Sequence, residues 1–191
     1  MSFEIWSMII VYLILLVILI ITIFLFSSPK LSPIPYFPSQ SVDLPKIIKA
    51  LNLKNNQTVF DLGAGDGIVI FKAADEAFRK KLNTKFVAIE INPVLILILH
   101  LRRLFHPNKK NIKIVVDDMF KIDFSSLIPN PYSLVIYLYI SPWYLEKTIS
   151  NIKNQINKFS VVSYMYPLKN KTVFTKVTAV KGKNSIFIYD F

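Results

Sequence analysis

Glycine is scarce in this chain, and its placement limits the fold more than any other feature. Three of the four glycines, Gly63, Gly65 and Gly67, fall within five residues. An apolar stretch ends just before them at Leu62, and a helical pattern begins at Ile68. This run predicts a strand, a tight loop and a helix, with backbone N–H groups and the helix N-terminus facing a polar ligand. A glycine-rich turn without a ligand is the alternative.

The glycine spacing and the neighbouring acids limit the class of ligand that the loop can bind. Dinucleotide-binding loops read G-x-G-x-x-G and place a pyrophosphate on the helix N-terminus, whereas this loop reads D-L-G-A-G-D-G. Asp61 and Asp66 would repel a pyrophosphate but suit a cofactor with an amino group and a sulfonium. Glu90 ends the next apolar stretch, where a second strand would present a carboxylate to ribose hydroxyls. A nicotinamide or flavin nucleotide is the alternative ligand.

Together these residues resemble motif I and the ribose-binding acid of class I S-adenosylmethionine-dependent methyltransferases. The resemblance implies S-adenosyl-L-methionine as the cofactor. The implied contacts come from the glycine loop and from the end of the second strand: Asp61, Gly63, Ala64, Gly65, Asp66, Gly67, Glu90 and Ile91.

The third predicted strand, 112–116, is followed by two acids and a methionine. In a sheet of this kind its carboxyl end faces the adenine side of the pocket. We expect Asp118 to bind the exocyclic amine of adenine and Met119 to lie beside the ring; a solvated acidic turn is the alternative. The paired acids also suggest a metal. However, the chain has no cysteine and only two histidines, so we predict no metal site.

Strand and helix patterns alternate along most of the chain. The apolar periodicity predicts an α/β fold with a Rossmann-like, doubly wound, mostly parallel sheet. The closing antiparallel pair suits the seven-stranded methyltransferase sheet. Strands are predicted at 58–62, 85–91, 112–116, 132–140, 160–166, 172–180 and 185–191, and helices at 42–53, 68–81, 93–105 and 142–157.

An apolar segment at residues 5–26 precedes this domain. As a helix it extends about 33 Å, enough to cross a hydrocarbon core of about 30 Å. A cleaved signal peptide fits less well, because no basic residue precedes the segment. All 23 Lys and Arg residues follow it, so we predict a single-pass membrane protein with a cytoplasmic catalytic domain. The predicted units are a transmembrane anchor (1–28), a proline-rich linker (29–41) and a methyltransferase domain (42–191).

The end of the fourth predicted strand borders both the sulfonium and the incoming nucleophile. It carries the aromatic and small residues predicted to be catalytic: Tyr139, Ser141, Pro142 and Trp143. Aromatic faces stabilise cations, and a desolvated site favours the neutral amine that methyl transfer needs. Trp143 and its neighbour Tyr144 could instead be core residues. The segment faintly resembles the (D/N/S)-P-P-(Y/F/W) signature of amino-group methyltransferases, but Trp143 replaces the second proline, which argues against a nucleobase acceptor.

The resemblance extends over nearly the whole soluble part. The chain is similar to small protein-lysine methyltransferases, a family that includes archaeal broad-specificity enzymes and enzymes acting on the ATP synthase c-subunit and the adenine nucleotide translocase. This resemblance implies a protein lysine as acceptor, and places Tyr36 to Ser39 over the cofactor pocket. The matching segments are 35–39, 61–67, 90–93, Asp118, 137–142 and 161–164.

The net charge of +11 bears on partners. A basic surface beside an anchor is attracted to anionic lipid, and it also suits nucleic acid, although a membrane tether argues against the latter. We expect the apolar segment 94–99 to be a buried helix, with a membrane-resting helix as the alternative. The rivals to a lysine methyltransferase are a lipid or small-molecule methyltransferase and an inactive membrane-tethered binding module.

Overall fold

The computed structural model of the chain describes residues 3–27, 34–124, 126–128, 133–169 and 175–191. Helices and strands alternate from residue 44 to residue 116, with a 3-10 turn at Lys109–Asn111. From residue 134 the order is one strand, one helix and three further strands. The helices are α1 (Phe3–Ser27), α2 (Leu44–Ala50), α3 (Ile68–Arg79), α4 (Pro93–Phe105) and α5 (Pro142–Lys153). The strands are β1 (Thr58–Leu62), β2 (Lys85–Glu90), β3 (Ile112–Val116), β4 (Leu134–Leu138), β5 (Ser160–Tyr164), β6 (Lys176–Lys181) and β7 (Ser185–Asp190).

The strands form one sheet in the order β3-β2-β1-β4-β5-β7-β6. The run from β3 to β5 is parallel, whereas β7 is antiparallel to both β5 and β6. The strand order reverses between β1 and β4, and the crevice at the carboxyl ends of such strands is where open α/β sheets bind ligands. The predicted Rossmann-like, seven-stranded, doubly wound sheet is confirmed.

Apolar layers cover both faces of the sheet. On one face, α2, α3 and α4 pack against a cluster that includes Tyr137. On the other face, α5 packs against a cluster that includes Leu138 and Phe60. Tyr137 and Leu138 are consecutive in β4, so their opposite directions follow from the alternation of side chains along a strand. The buried strands are thus covered on both sides, as parallel sheets require.

The predicted helix at 68–81 ends earlier than expected, at Arg79. The reason is a C-terminal cap formed by backbone hydrogen bonds. Lys81 adopts a positive φ of 55°, its N–H donates to the carbonyl of Phe78, and Leu82 N–H donates to the carbonyl of Ala77. These two bonds form a Schellman motif. Lysine is a good helix former, so the composition of the segment gave no sign of this stop.

Other predicted boundaries also change. The strand predicted at 132–140 is β4, the helix predicted at 142–157 ends at Lys153, and the strand predicted at 172–180 is β6. The predicted starts of these two strands, at residues 132 and 172, lie outside the described residues.

Helix α4 differs from its prediction as a buried helix over 94–99. Leu95 and Leu99 are buried, but Leu97 is exposed. The prediction is therefore wrong for the outer side of the helix. The physical reason is that α4 packs on the sheet with one side only, and its outer side stays uncovered within the described part of the chain.

Helix α1 lies outside the core. Its segment Glu4–Phe24 is long and apolar enough to cross a membrane, and none of it is buried against the rest of the described chain. It is a candidate membrane span by length and composition.

Candidate active site

The loop between β1 and α3 has a conformation that glycine adopts far more readily than other residues. Gly63, Gly65 and Gly67 have φ angles of +75°, +59° and +78°, in the left-handed region. Space is restricted as well: a Cβ on Gly65 would lie 2.6 Å from Tyr36 Cε2, and one on Gly63 would lie 2.7 Å from Met119 Cε. Glycine therefore allows two neighbouring segments to close over the loop.

Glu90 connects this loop to the carboxyl end of β2. Its Oε2 accepts a hydrogen bond from Gly65 N at 2.8 Å. Its Oε1 accepts hydrogen bonds from Ile91 N and Asn92 N, each at 2.9 Å. Because the side chain is buried, these charge-assisted bonds are strong. The carboxylate fixes the loop to the strand at the place where the sequence predicts a contact with ribose.

Asp61 is a buried carboxyl group near the end of β1. Only 3% of the residue is exposed. Burial, followed by the negative charges of Glu90 and Asp66, raises the pKa of Asp61 to about 8. No basic side chain in the described part of the chain lowers it. A bound cation would favour the ionised form, so Asp61 fits a ligand with an amino or sulfonium group.

Asp66 has partners within the protein. Its Oδ2 lies 2.9 Å from Arg102 Nη2 on α4, and its Oδ1 accepts a hydrogen bond from Ile68 N at 3.2 Å. An acid before the first turn of a helix is also favoured by the helix dipole. The negative charge of Asp66 is thus balanced by Arg102 and a backbone N–H, whereas Asp61 has no such basic partner in the described part of the chain.

The N-terminal strap (residues 34–39) covers the glycine loop. Tyr36 packs on the loop, and burial, with the charge of Asp66 and a hydrogen bond to it, raises the pKa of Tyr36 to about 12. Ser39 Oγ lies 2.8 Å from Tyr137 Oη, and both residues are buried. The segment predicted to fold over the pocket therefore lies over it.

Asp43 holds the chain just beyond this strap. It is buried and accepts hydrogen bonds from Lys183 N at 2.7 Å, Asn184 N at 2.9 Å and Tyr164 Oη at 2.8 Å. Burial raises the pKa of Asp43, but these bonds outweigh it and keep the pKa below its usual value. The contact ties the start of α2 to the turn between β6 and β7.

Asp118 and Met119 lie on the opposite side of the loop. Asp118 Oδ1 accepts a hydrogen bond from Phe120 N at 3.0 Å, and Lys121 Nζ lies 3.7 Å from its Oδ2. Met119 approaches Gly63 through its terminal methyl group. Both predicted adenine contacts border the same cleft as the glycine loop.

The end of β4 divides the predicted catalytic residues. Tyr139 borders the cleft, and its ring packs edge-on against Tyr164 with the centroids 4.9 Å apart. Burial, followed by the proximity of Tyr166, raises the pKa of Tyr139. Trp143, on the first turn of α5, points away: it is 78% exposed, and Lys169 Nζ lies 5.7 Å from its ring centroid. Trp143 is therefore not a core residue.

The cleft brings together most of the predicted site. Twelve predicted residues border it: Tyr36, Ser39, Asp61, Gly63, Ala64, Gly65, Asp66, Glu90, Ile91, Asp118, Met119 and Tyr139. Four do not: Gly67, Ser141, Pro142 and Trp143. Gly67 instead caps α3.

Two aromatic residues of the cleft, Tyr137 and Phe120, were missed by the sequence reasoning. The signal for Tyr137 was present, because strand alternation puts it on the same face as Tyr139, and the register pairs it with Asp61. For Phe120, which follows β3 in a loop, the sequence carried no comparable signal. Among the described residues, no group of three His, Cys, Asp or Glu side chains is arranged to hold a metal.

A seven-stranded sheet of this order, with a glycine loop after β1 and an acid at the carboxyl end of β2, defines a class I S-adenosylmethionine-dependent methyltransferase. The model of the ribosomal RNA adenine dimethylase family matches residues 36–165, and the chain belongs to this family. S-adenosylmethionine is the cofactor, and the buried Asp61 and the glycine loop provide an acid and a backbone surface that fit it.

The individual relatives are methyltransferases of two kinds. An ATP synthase c-subunit lysine N-methyltransferase from Caenorhabditis elegans is 28% identical over 109 residues, which cover 54% of this chain and 52% of the relative. A probable ribosomal RNA small subunit methyltransferase A from Methanosarcina mazei is 33% identical over 95 residues, covering 48% and 32%. The chain thus spans about half or less of the length of these relatives.

Among solved structures, the chain is similar to an RNA methyltransferase from Salinibacter ruber in complex with S-adenosyl-L-homocysteine. The TM-score is 0.64 at 18% identity, and the match covers 81% of this chain and 92% of that one. At this identity the similarity supports the fold alone.

Proposed function

We propose that this methyltransferase transfers a methyl group to a lysine side-chain amine of a protein at a membrane. In this proposal residues 1–28 anchor the chain, residues 29–41 link the anchor to the domain, and residues 42–191 form the catalytic domain on the cytoplasmic side. The twelve cleft residues described above would bind the cofactor and border the acceptor.

The charge of the cleft is the observation that carries the proposal. The chain has a net charge of +11, yet the residues bordering the cleft include no Lys or Arg within the described part of the chain. They do include five acids: Asp61, Asp66, Glu90, Asp117 and Asp118. Two of these charges are reduced, since Asp66 pairs with Arg102 and the pKa of Asp61 is about 8. A cleft bordered by acids and by no basic side chain among the described residues still offers RNA phosphates no partner, so its charge favours a lysine over a polynucleotide.

The aromatic end of β4 supplies the second part of the argument. Bound by the glycine loop and Glu90, S-adenosylmethionine would supply an electrophilic methyl group to the lone pair of a neutral amine, and S-adenosylhomocysteine would leave with the electron pair of the carbon–sulfur bond. Tyr139 and Tyr137 provide an uncharged wall beside this position, and the strap packs on the glycine loop. Such surroundings favour the neutral form of the incoming amine and the in-line alignment that displacement needs.

An RNA adenine is the second candidate acceptor. The family match and the Methanosarcina mazei relative favour it. The junction of β4 and α5, Ser141-Pro142-Trp143-Tyr144, also keeps part of the amino-group methyltransferase pattern. The lack of a Lys or Arg among the described residues that border the cleft counts against it.

Radiolabelled methyl transfer separates these acceptors. Membranes and RNA from cells that lack the protein are incubated with the purified full chain and methyl-labelled S-adenosylmethionine. We expect label in a membrane protein that yields methyllysine on acid hydrolysis. Ribonuclease-sensitive label would overturn the proposal in favour of RNA, and label in extracted lipid in favour of a lipid. No transfer by a chain that binds the cofactor would indicate an inactive binding module.

Two arginine substitutions control this experiment. Gly65→Arg adds a side chain where Tyr36 leaves no room, at a φ of +59°, and we expect it to abolish cofactor binding and transfer. Asn56→Arg introduces the same side chain at a φ of 55°, in an exposed turn away from the cleft. We expect Asn56→Arg to retain both activities, so backbone strain alone would not explain the loss.

A further inference from the structure

The outer side of helix α4 is apolar. Leu97, Leu101 and Leu104 are 60%, 52% and 57% exposed, and Phe105, at the end of the helix, is 83% exposed. Their spacing of three to four residues places them along one side of the helix. A surface helix of a soluble domain normally presents polar residues on that side, so α4, which is apolar on its inner side as well, departs from this pattern. We call these four residues the α4 stripe.

The rest of α4 is firmly held by the domain. Leu95 and Leu99 are buried, and Asn92 caps the first turn by accepting hydrogen bonds from the helix backbone. Arg102 pairs with Asp66, and Arg103 Nε donates to the carbonyl of Ile112 at 2.6 Å. The α4 stripe is thus a fixed surface of the folded domain, and the orientation of the helix is set by its other side.

The position of α4 and its charge favour a lipid surface as the partner of this stripe. Helices α1 and α4 approach each other, with Cα atoms within 8 Å, so α4 lies beside the candidate membrane span. The helix contains no acid, and Lys109 and Lys110 follow it closely. An apolar stripe flanked by basic residues is the pattern of a helix that lies in the interface of an anionic bilayer.

We propose that the α4 stripe lies in the interfacial region of the membrane that α1 spans. This inference rests on the proposed membrane anchoring. The consequence is a fixed orientation of the active site, because α4 contacts the cofactor loop through Arg102 and Asp66 and starts at Pro93, three residues after Glu90. The cleft is then held beside the lipid surface rather than moving freely on its linker.

Site-specific fluorescence in vesicles tests this placement, and the chain suits it because it contains no native cysteine. Leu101→Cys, labelled with an environment-sensitive fluorophore, is compared with Val177→Cys in the full chain. Val177 is a matched control: an apolar residue of β6 that is 50% exposed, close to the 52% of Leu101. The vesicles contain phosphatidylcholine and phosphatidylglycerol, with quenchers either attached to the lipid chains or dissolved in the buffer.

We expect lipid-attached quenchers to reduce the emission at position 101 several-fold more than at position 177, with the reverse order for the aqueous quencher. Leu104→Cys provides a second site should the first variant fail to fold, and the same result is expected there. Equal aqueous quenching at the stripe and at position 177 would overturn the inference. The inference would also be overturned if protection of the label from the aqueous quencher changed with the amount of protein per vesicle. The stripe would then contact a second copy of the chain.

The outcome is separable from that of the proposed function. Methyl transfer and cofactor binding are measured on the same labelled samples. If the label on the stripe is exposed to water and methyllysine is still formed, the placement of α4 is overturned and the proposed function stands. A stripe in lipid, with label transferred to RNA, would overturn the acceptor and leave the placement standing.

Discussion

Two sides of the cleft are built differently: the cofactor side, formed by the glycine loop and Glu90, and the proposed acceptor side, formed by the aromatic end of β4. On the cofactor side, backbone torsions and one carboxylate do most of the positioning: Gly63 and Gly65 have positive φ, and Glu90 holds the loop with backbone hydrogen bonds. On the acceptor side, side chains from distant segments meet, as Tyr139 and Tyr164 do. The cofactor side therefore depends mainly on the glycine loop and Glu90. The acceptor side depends on how distant parts of the chain pack together in the assembled fold.

This difference explains where substitutions should matter. A change in the cofactor side breaks several bonds at once, because each group there has several partners. A change in the acceptor side removes one surface of a wall that other aromatic residues also form. We therefore expect a graded series of effects, from Glu90 to Ser39.

Removal of the Glu90 carboxylate should have the largest effect. Glu90→Ala leaves three backbone N–H groups near the loop without their acceptor. We expect a loss of at least about 3 kcal/mol in the free energy of unfolding, and cofactor affinity below detection. Denaturant unfolding and calorimetry measure both. Glu76→Ala, which removes a partly buried acid of α3 that ion-pairs with Lys80, is the control and should cost about 1 kcal/mol or less.

The acceptor side is tested by a pair of aromatic substitutions. Tyr139→Ala removes a residue of the cleft wall, and we expect methyl transfer to fall about tenfold, in line with the loss of an aromatic–cation contact of about 1–2 kcal/mol. Trp143→Ala changes an exposed ring and should alter the rate less than twofold, about 0.4 kcal/mol. The opposite ranking would place the acceptor at α5 and reverse our comparison of the two sides. Cofactor affinity of both variants is the control.

Asp61 links the cofactor side to pH. Its pKa of about 8 in the folded protein lies above the usual value of about 4. The folded state therefore binds an extra proton, and the contribution of this group to stability is full below about pH 4 and is lost as the pH rises towards about 8. We expect Asp61→Asn to be more stable than the natural chain at about pH 8 and similar at about pH 4, by denaturant unfolding.

The same substitution should weaken the binding of the cofactor. In the natural chain, affinity for S-adenosylhomocysteine should increase with pH as the Asp61 carboxylate forms, because this charge stabilises a bound ammonium group. Asp61→Asn should bind about tenfold more weakly at about pH 8 and lack that increase. A variant whose affinity keeps the natural pH profile would show that Asp61 does not face the cofactor.

The strap contact should give the smallest effect. Ser39→Ala and Tyr137→Phe each remove one partner of the 2.8 Å hydrogen bond, and each should cost about 1 kcal/mol of stability. If the contact holds the strap, the double substitution should cost less than the sum of the two. Strict additivity would indicate that the hydroxyl groups act separately.

The sequence predicted the local parts of this molecule well. The D-L-G-A-G-D-G loop, the strand before it and the start of α3 depend on neighbouring residues, and they are where the pattern placed them. The partner of Ser39 could not be predicted, because Tyr137 is 98 residues away in the chain. Nor could the exposed side of α4, because apolar composition alone does not distinguish a buried helix from one that faces lipid.

The acceptor side shows the same limit. The aromatic residues at the end of β4 suggested a catalytic cluster, but a helix starts at Pro142 and turns Trp143 outward. Strand alternation carried the prediction as far as Tyr139, beyond which the direction of each side chain depends on how α5 packs against the sheet.

A calorimetric titration of the detergent-purified full chain with S-adenosylhomocysteine tests the central claim most directly, namely that the loop after β1 and Glu90 hold the nucleoside of the methyl donor. We predict saturable binding of one ligand per chain, lost in Gly65→Arg and retained in Asn56→Arg. A folded sample that gives no binding heat at millimolar ligand, or equal binding by the two arginine variants, would contradict the account.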